Sequence, residues 1–449
     1  MKVSRFAWDG TDPRGLAQQL RALQPPLAQV SEAVAEIIAA VEAEGDAAVL
    51  RYESQFGAAP ASLRVPDSEQ AAYEDAVEPS LAAALRAAAR NLVTASRIAG
   101  ATPERGAEMN PELPPEAEQD ACWSGRMNDV TMTGRDVPVR AAGAYAPGGL
   151  GAYPSTVVMC CVPARLAGVD RVAVASPPRA DGLINPAVAA AARIAGAHDL
   201  YVTGGAQAIA ALALGTESIE PVDVIVGPGN RYVTEAKRQL VGRVGIDGIA
   251  GPSELMVIAD GSAQPRLVAL DLCAQGEHGD DGLLVACAIG GGSEAEALLG
   301  EIEAQTTALA AKRDSVKDAP LVLLMAPSPQ AAVELANALA PEHLELACED
   351  ADELSQDVLY AGCVFVGREG ATAFGDYAAG SNHVLPTGGA GRFQGPLGPG
   401  TFRRSITRVR IGPQGARELA PVVATLAEAE GFPVHGESAT ARVEDEGRK

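Results

Sequence analysis

The sequence predicts an α/β protein with two similar, doubly wound parallel sheets and helical extensions at both ends. Two observations lead to this prediction. From about Val137, short β-prone runs such as "RVAVASP" and "DVIVGPGN" alternate with Ala-rich helical runs, and glycine turns separate them. A second series of the same kind extends from "LMVIAD" to "GCVFVG". Strand, turn and helix repeated in this order are typical of a parallel sheet with helices on both faces.

The chain before Val137 is predicted to be mainly helical. Apolar residues recur at three- and four-residue spacing in "LAQVSEAVAEIIAAVEAEGDAAVLRYESQF" and again in "SLAAALRAAARNLVTASRIA", as in amphipathic helices. A stretch rich in Pro and acidic residues at 101–120 interrupts the pattern and is predicted to be a loop. From about Gly388 the chain is rich in Gly and Pro and then becomes helical again.

The composition restricts the class of partner. The 449 residues are 47% hydrophobic and can bury a large core, while a formal charge of −23 disfavours nucleic acid and anionic lipid. No run reaches the roughly 18 apolar residues of a membrane helix, and the first residues have no signal-peptide core. We therefore expect a cytoplasmic protein that binds neither nucleic acid nor membranes. Seven scattered cysteines without a C-x-x-C pair favour neither a disulfide framework nor a thiolate zinc site.

Oxygen and nitrogen ligands for a metal ion are available without any cysteine. Gln275 and His278, in "QGEH", are three residues apart and would share one face of a helix. Asp376 lies in a stretch rich in Gly, Ser and Asn, and His435 follows the last long helix. Taken alone, each has a plainer interpretation, such as a histidine that interacts with a helix dipole. Taken together, they would suit Zn²⁺ or Mn²⁺.

Two further acid and imidazole pairs are candidates for catalysis or substrate binding. Glu342 and His343 are adjacent after a proline in "APEHLELA", so they could address opposite sides of a substrate. The alternative is an ordinary helix start with an acid in its first turn. Glu430 and His435 lie at the end of the last long helix, where the alternative is a solvated cap.

Glycine turns follow several predicted strands: "APGG" (146–149), "TGGAQ" (203–207) and "GPGN" (227–230). Such turns let backbone N–H groups and a helix N-terminus approach a phosphate, although each could equally be a tight turn without a ligand. No G-x-G-x-x-G fingerprint occurs, so the turns alone do not predict dinucleotide binding. P-loop, zincin and α/β-hydrolase motifs are also absent.

The chain resembles the histidinol dehydrogenase family over nearly its whole length. The most specific stretch is "IDGIAGPSELMVIADGSAQPRLVALDLCAQGEH" (246–278), which resembles the family signature, with Cys273 at a position that is usually aliphatic. Other matching stretches occur in the family's order: "YAPGG", "TGGAQAIAALALGT", "GPGNRYVTEAKRQL", "APEHLEL", "GDYAAGSNHVLPTG" and "LAEAEGFPVH".

The resemblance implies two incomplete Rossmann-like sheet domains, one of them discontinuous. The implied divisions are an N-terminal helical extension (1–30), a substrate and zinc domain (31–136 with 253–387), an NAD domain (137–252) and a C-terminal dimerisation segment (388–449). It also implies a homodimer in which that C-terminal segment completes the partner's site.

The resemblance assigns a role to each candidate residue. One Zn²⁺ per subunit would be held by Gln275, His278, Asp376 and His435. Substrate contacts would come from Ser253, His343, Glu430 and the four zinc ligands. NAD contacts would come from Tyr145, Gln207 and Asn230. His343 would take protons, and Glu342 would activate the water that adds to an aldehyde intermediate.

The implied activity is the zinc-dependent, four-electron oxidation of L-histidinol to L-histidine with reduction of two NAD, the last steps of histidine biosynthesis. Two alternatives stay open at this point. One is a relative in the same family that oxidises a different small polar alcohol. The other is a non-catalytic protein that binds a metal or a nucleotide, because a fold alone does not fix a function.

Overall fold

The computed structural model describes residues 1–25, 30–70, 72–100, 122–148 and 151–444. The loop predicted at 101–120 lies outside this part of the chain. The described residues form two compact units, which we describe separately. The first contains the described residues up to 100 together with Val139–Phe402, and the second contains residues 122–138 and 403–444.

The secondary structure alternates between strands and helices along most of the chain. The strands are β1 (Lys2–Phe6), β2 (Cys122–Met127), β3 (Val130–Pro138), β4 (Ala141–Tyr145), β5 (Arg171–Ser176), β6 (Asp199–Val202), β7 (Val224–Val226), β8 (Gly245–Ile246), β9 (Glu254–Ala259), β10 (Leu283–Ile289), β11 (Pro320–Ala326), β12 (His343–Ala347), β13 (Cys363–Val366) and β14 (Arg403–Ile411). The helices are α1 (Pro13–Arg21), α2 (Ser31–Glu44), α3 (Asp46–Phe56), α4 (Asp67–Gln70), α5 (Ala72–Asp75), α6 (Pro79–Ile98), α7 (Pro154–Leu166), α8 (Pro186–Ile194), α9 (Gly205–Leu214), α10 (Arg231–Leu240), α11 (Pro265–Gly276), α12 (Ser293–Ala310), α13 (Pro329–Leu339), α14 (Ala351–Ser355), α15 (Thr372–Tyr377), α16 (Pro413–Glu430) and α17 (Pro433–Glu444).

A six-stranded parallel sheet in the first unit has the order β1-β11-β10-β9-β12-β13. Alternate residues of each central strand enter different cores, because successive side chains point to opposite faces of a strand. In β10, Val285 and Cys287 pack with α1 and α13, whereas Leu284 and Ala286 pack with α11 and α12. Helices therefore cover both faces, and this explains the continuous apolar runs in the sequence.

A five-stranded parallel sheet in the same unit has the order β6-β5-β4-β7-β8. Helices α2, α3, α9 and α10 supply side chains to the core on one face, and α6, α7 and α8 supply the core on the other face. Two parallel sheets, each covered on both faces, confirm the predicted fold class.

The packing of the N-terminal region differs from the predicted division. Residues 1–25, the described part of the predicted helical extension, are not separate, because β1 is an edge strand of the six-stranded sheet and α1 packs on that sheet. Helices α2, α3 and α6 pack on the five-stranded sheet, although residues 31–136 were predicted to belong with 253–387. Amphipathic spacing shows that a helix has an apolar face, but it does not show which sheet covers that face.

The second unit combines an antiparallel sheet with two helices. The sheet has the order β14-β3-β2, and α16 and α17 are the two long C-terminal helices. The prediction of a C-terminal helical segment therefore omitted β14, whose sequence "RRSITRVRI" carries too many arginines to look like a buried strand. Every helix in the described part of the chain is too short or too polar to span a lipid bilayer.

A buried ion pair joins α1 to the six-stranded sheet. The Arg21 guanidinium, at the end of α1, binds the Glu254 carboxylate at the start of β9 and also donates to the carbonyl of Leu339 in α13. The Glu254 side chain is only 1% exposed and that of Arg21 is 20% exposed. The pair thus connects three elements that are far apart in the sequence.

The ion pair predicts a loss of stability when its cation is removed. Arg21→Met should lower the free energy of unfolding by about 3 kcal/mol, because the Glu254 carboxylate would stay buried without its partner. Equilibrium urea denaturation, followed by tryptophan fluorescence, measures this change. Arg14→Met, at an exposed position of the same helix, is the control and should change stability by less than about 0.5 kcal/mol. Equal stability of Arg21→Met and the wild type would contradict the role of the pair.

Candidate active site

A cavity of 1180 Å³ lies between the two sheets of the first unit. Its lining includes most of the predicted site residues: Tyr145, Gln207, Asn230, Ser253, His278, Glu342, His343 and Asp376. The structure therefore brings together residues that were predicted to bind NAD and residues that were predicted to bind substrate.

The two sheets contribute opposite edges to this cavity. Tyr145 is the last residue of β4, and the glycine turns at 203–207 and 227–230 follow β6 and β7. The five-stranded sheet therefore faces the cavity with the carboxyl ends of its strands. Ser253 immediately precedes β9, and His343 is the first residue of β12. The six-stranded sheet therefore faces the cavity with the amino ends of these strands.

Glu342 is fixed by reciprocal hydrogen bonds with Glu254. The Glu254 N–H donates to Glu342 Oε2 at 2.9 Å, and the Glu342 N–H donates to Glu254 Oε2 at 3.3 Å. The Gly388 N–H also donates to the Glu254 carboxylate, at 3.2 Å. Ala340, which precedes this segment, has a left-handed φ of 46°, a costly conformation for a residue with a side chain. The Glu342 carboxylate is thus held at the cavity wall by β9.

His343 is buried among polar groups. Its Nδ1 lies 3.2 Å from the Glu254 carbonyl oxygen and 3.4 Å from Gln275 Nε2. Its Nε2 lies 3.3 Å from Asp376 Oδ1 but makes no hydrogen bond. Burial alone would lower the pKa of His343, yet the carboxylates of Glu342 and Asp376 hold it well above its ordinary value. A buried ring nitrogen without a partner is a position where a ligand can bind.

Asp376 is surrounded by imidazoles. Burial would raise the pKa of its carboxyl, but His343, His383 and His278 together hold the pKa below its ordinary value. His383 has partners for both ring nitrogens, the Asp376 carbonyl at 2.7 Å and Thr156 Oγ1 at 3.0 Å. His383 therefore positions the Asp376 backbone and has no nitrogen left for a ligand.

Gln275 and His278 lie at the end of α11, but not on one regular helical face. The helix ends at Gly276, and the His278 N–H bonds to the Gln275 carbonyl at 3.2 Å in a tighter turn. Gln275 is buried against His343, whereas His278 is exposed at the cavity.

The predicted zinc ligands are only partly assembled in one unit. Over the part of the chain that the structure describes, no three His, Cys, Asp or Glu side chains lie close enough to hold a metal ion by themselves. The predicted set has a different composition, because Gln275 contributes an amide and His435 belongs to the second unit with Glu430. Both Glu430 and His435 are exposed.

The residues predicted to contact NAD are held by close packing around the glycine turns. The Tyr145 hydroxyl accepts the Gly205 N–H at 3.1 Å, and burial raises the pKa of Tyr145 to about 12, so the phenol keeps its proton. Asn230 caps α10 by accepting the N–H groups of its first turn. Gly227 has φ +110°, and a Cβ there would lie 2.2 Å from the Tyr145 carbonyl oxygen. Only glycine fits at that position.

Several residues at the site were not predicted from the sequence. Arg21 and Glu254 hold Glu342, Thr156 holds His383, and the buried Glu53 lines the cavity beside Gln207. The burial of Glu53 could have been predicted from the sequence, because Glu53 lies one helical turn after Val49 on the buried face of α3. The other three bond across long sequence separations, which single-sequence spacing does not show.

Comparisons with known proteins identify the family. The sequence model described as "Histidinol dehydrogenase" matches residues 22–443. A histidinol dehydrogenase of Gluconobacter oxydans is 42% identical over 422 residues, covering 92% of this chain and 93% of the relative. One of Rhizobium meliloti is 41% identical and covers 92% of each chain. The crystal structure of histidinol dehydrogenase from Elizabethkingia anophelis superposes with a TM-score of 0.83 at 30% identity, covering 99% of this chain and 98% of that one. This chain belongs to the histidinol dehydrogenase family.

Proposed function

We propose that the protein oxidises L-histidinol to L-histidine in histidine biosynthesis, in two steps that each reduce one NAD⁺. Its membership of the family confirms the prediction of an oxidoreductase of this class. The observation that carries the fuller proposal is the shared cavity. The Glu342, His343 and Asp376 cluster lines one part of it, and the glycine turns with Tyr145 and Gln207 line another. The predicted cytoplasmic location is part of this proposal.

The residues present fit a zinc ion. An amide oxygen, two imidazole nitrogens and a carboxylate are ligands that Zn²⁺ accepts, and His343 Nε2 is a buried polar atom that lacks a partner beside Asp376. Gln275, His278, Asp376 and His435 would hold one ion per subunit. When bound, zinc would orient the amine and imidazole nitrogens of the substrate.

We also propose that the segment 388–449 mediates a homodimer and carries Glu430 and His435 to the partner's site. Large apolar side chains of this segment are exposed within one chain, including Val422, Leu426, Phe432 and Val434. Exposed apolar patches of this kind mark interaction surfaces. A second copy that covers them would bring the fourth zinc ligand from another subunit.

In the first step, the primary alcohol becomes an aldehyde by losing a hydride and a proton. Bound NAD⁺ supplies the hydride acceptor. His343 Nε2 is the group placed to take the hydroxyl proton when its imidazole is neutral, because it faces the cavity and has no hydrogen bond of its own. A zinc ion bound to Asp376 would offset the negative charge that raises the pKa of His343 and would so favour the neutral imidazole. Ser253 and Asp376 line the same wall and limit where the alcohol can lie.

In the second step, the aldehyde, one water and a second NAD⁺ give a carboxylate, one NADH and two protons. Glu342 is the group placed to accept a proton from that water. The backbone of β9 holds its Oε2, at 2.9 Å, which leaves Oε1 for the water. A base that is held through one oxygen loses little freedom when it acts through the other.

The stoichiometry of the reaction tests the proposal. With L-histidinol in limiting amount, excess NAD⁺ and zinc-loaded protein, we expect two NADH per histidinol and histidine as the product. Absorbance at the NADH band and chromatography of the product measure both. One NADH per alcohol would indicate a relative that stops at the aldehyde. No NADH from histidinol would favour another small polar alcohol or a non-catalytic binding protein.

Two histidine variants should separate catalysis from metal binding. His343→Asn should lower kcat at least 100-fold and keep about one zinc per subunit, because it removes a proton acceptor and not a zinc ligand. His278→Ala should lower the zinc content itself. Metal analysis and steady-state kinetics on the same preparations measure both effects. Full zinc in His278→Ala, or full activity in His343→Asn, would show that the roles are assigned to the wrong residues.

A further inference from the structure

Glu53 is a buried carboxylate in the cavity wall to which the proposed reaction gives no role. It is 5% exposed, and its Oε1 accepts three hydrogen bonds: from Thr203 Oγ1 at 2.7 Å, the Gly204 N–H at 2.8 Å and Gln207 Nε2 at 2.9 Å. Burial raises the pKa of Glu53, and the three donors oppose that rise. Two of these donors lie in the turn between β6 and α9, and the third, Gln207, lies in the first turn of α9, so α3 holds this segment through one oxygen atom.

Two backbone donors of this turn are already used by the protein. A helix N-terminus preceded by glycines can bind a phosphate through its free N–H groups. Here the Gly204 N–H bonds to Glu53 and the Gly205 N–H bonds to the Tyr145 hydroxyl. A phosphate would lose these two donors and would be repelled by the buried Glu53 carboxylate, so the turn disfavours a phosphate.

One polar atom of the turn is left without a partner. The Gln207 amide donates through Nε2 to Glu53, and its Oε1 is buried and makes no hydrogen bond. Gln207 is 3% exposed and lines the cavity. A Cβ at Gly205 would lie 2.8 Å from this oxygen, so the glycine keeps the approach to it open. Because a carboxylate cannot donate, Glu53 fixes which end of the amide is the acceptor.

We propose that the turn at 203–207 binds an N–H or O–H donor of the cofactor, and that Glu53 is the positioning residue that sets this preference. The donor is the carboxamide of the nicotinamide or a ribose hydroxyl, and not a phosphate. The inference rests on the proposed contact of Gln207 with NAD. It extends that contact by naming the atom of Gln207 that binds, the chemistry that it recognises and the residue that orients it.

Calorimetric titration of the zinc-loaded enzyme with NAD⁺, without histidinol, tests the role of Glu53. Glu53→Ala should raise the Kd about tenfold, because the Gln207 amide loses the group that orients it. Glu53→Gln offers the same acceptor oxygen and should stay within about threefold of the wild type. Gln55→Ala, at an exposed position of α3, is the matched control and should bind like the wild type.

The variants also exclude the competing explanations. If the turn bound a phosphate, removal of the Glu53 charge would tighten NAD⁺ binding, and that result would overturn the proposal. Binding by Glu53→Gln as weak as by Glu53→Ala would also overturn it, because the acceptor oxygen would then not matter. A purely structural role would lower the melting temperature and the number of binding sites while the Kd stayed unchanged, which again contradicts the proposal.

Cofactor analogues test the donor on the unaltered protein and identify its source. The 3-acetylpyridine analogue of NAD⁺ lacks the amide N–H, and deoxyribose analogues lack one hydroxyl each. One of these should bind the wild type about tenfold more weakly than NAD⁺ and should lose no further affinity in Glu53→Ala. Equal affinity for NAD⁺ and every analogue would overturn the proposal. None of these binding measurements uses histidinol. Failure of the proposed reaction would therefore be detected separately, in the stoichiometry of NADH formation.

Discussion

The site depends on the Glu254 carboxylate, which is buried at the start of β9 and balanced by Arg21. The Arg21 guanidinium donates to both oxygens of Glu254, and Oε2 also accepts the N–H of Glu342. In return, the Glu254 N–H holds the Glu342 carboxylate. Two carboxylates so close together would repel each other in a region of low dielectric constant, and the Arg21 cation offsets that repulsion. A helix near the N-terminus thereby keeps the predicted base at the cavity wall.

The position of the cavity follows from the use of two opposite sheet edges. In open α/β sheets, ligands generally bind at the carboxyl ends of the strands. The five-stranded sheet follows this rule with its glycine turns, whereas the six-stranded sheet presents the amino ends of β9 and β12. Because the carboxyl ends of one sheet's strands face the amino ends of the other's, the cavity between them has room for both a cofactor and a substrate. Backbone groups and buried acids, more than loops, then hold the side chains proposed for catalysis.

Local sequence patterns were sufficient for the fold class, and most of the site residues that the resemblance implies do line the cavity. The alternation of apolar runs with glycine turns predicted both sheets. The resemblance assigned site roles to Glu342, His343 and Asp376, and all three line the cavity. The sheets on which α1 and α6 pack could not be predicted, because the apolar face of a helix does not indicate which surface will cover it. Arg21 could not be linked to Glu254, since 233 residues separate them. The assembly of His435 with the other proposed ligands stays a prediction.

We propose that Gln275, His278 and Asp376 form a metal site beside His343, at the cavity in which the cofactor would bind. Anomalous diffraction at the zinc absorption edge, from crystals of the zinc-loaded protein, tests this claim most directly. We predict one strong peak per subunit, about 2.0–2.2 Å from ligand atoms of these side chains, with His435 as the fourth ligand. A peak elsewhere, or ordered ligand side chains without a peak between them, would show that these residues do not hold the ion.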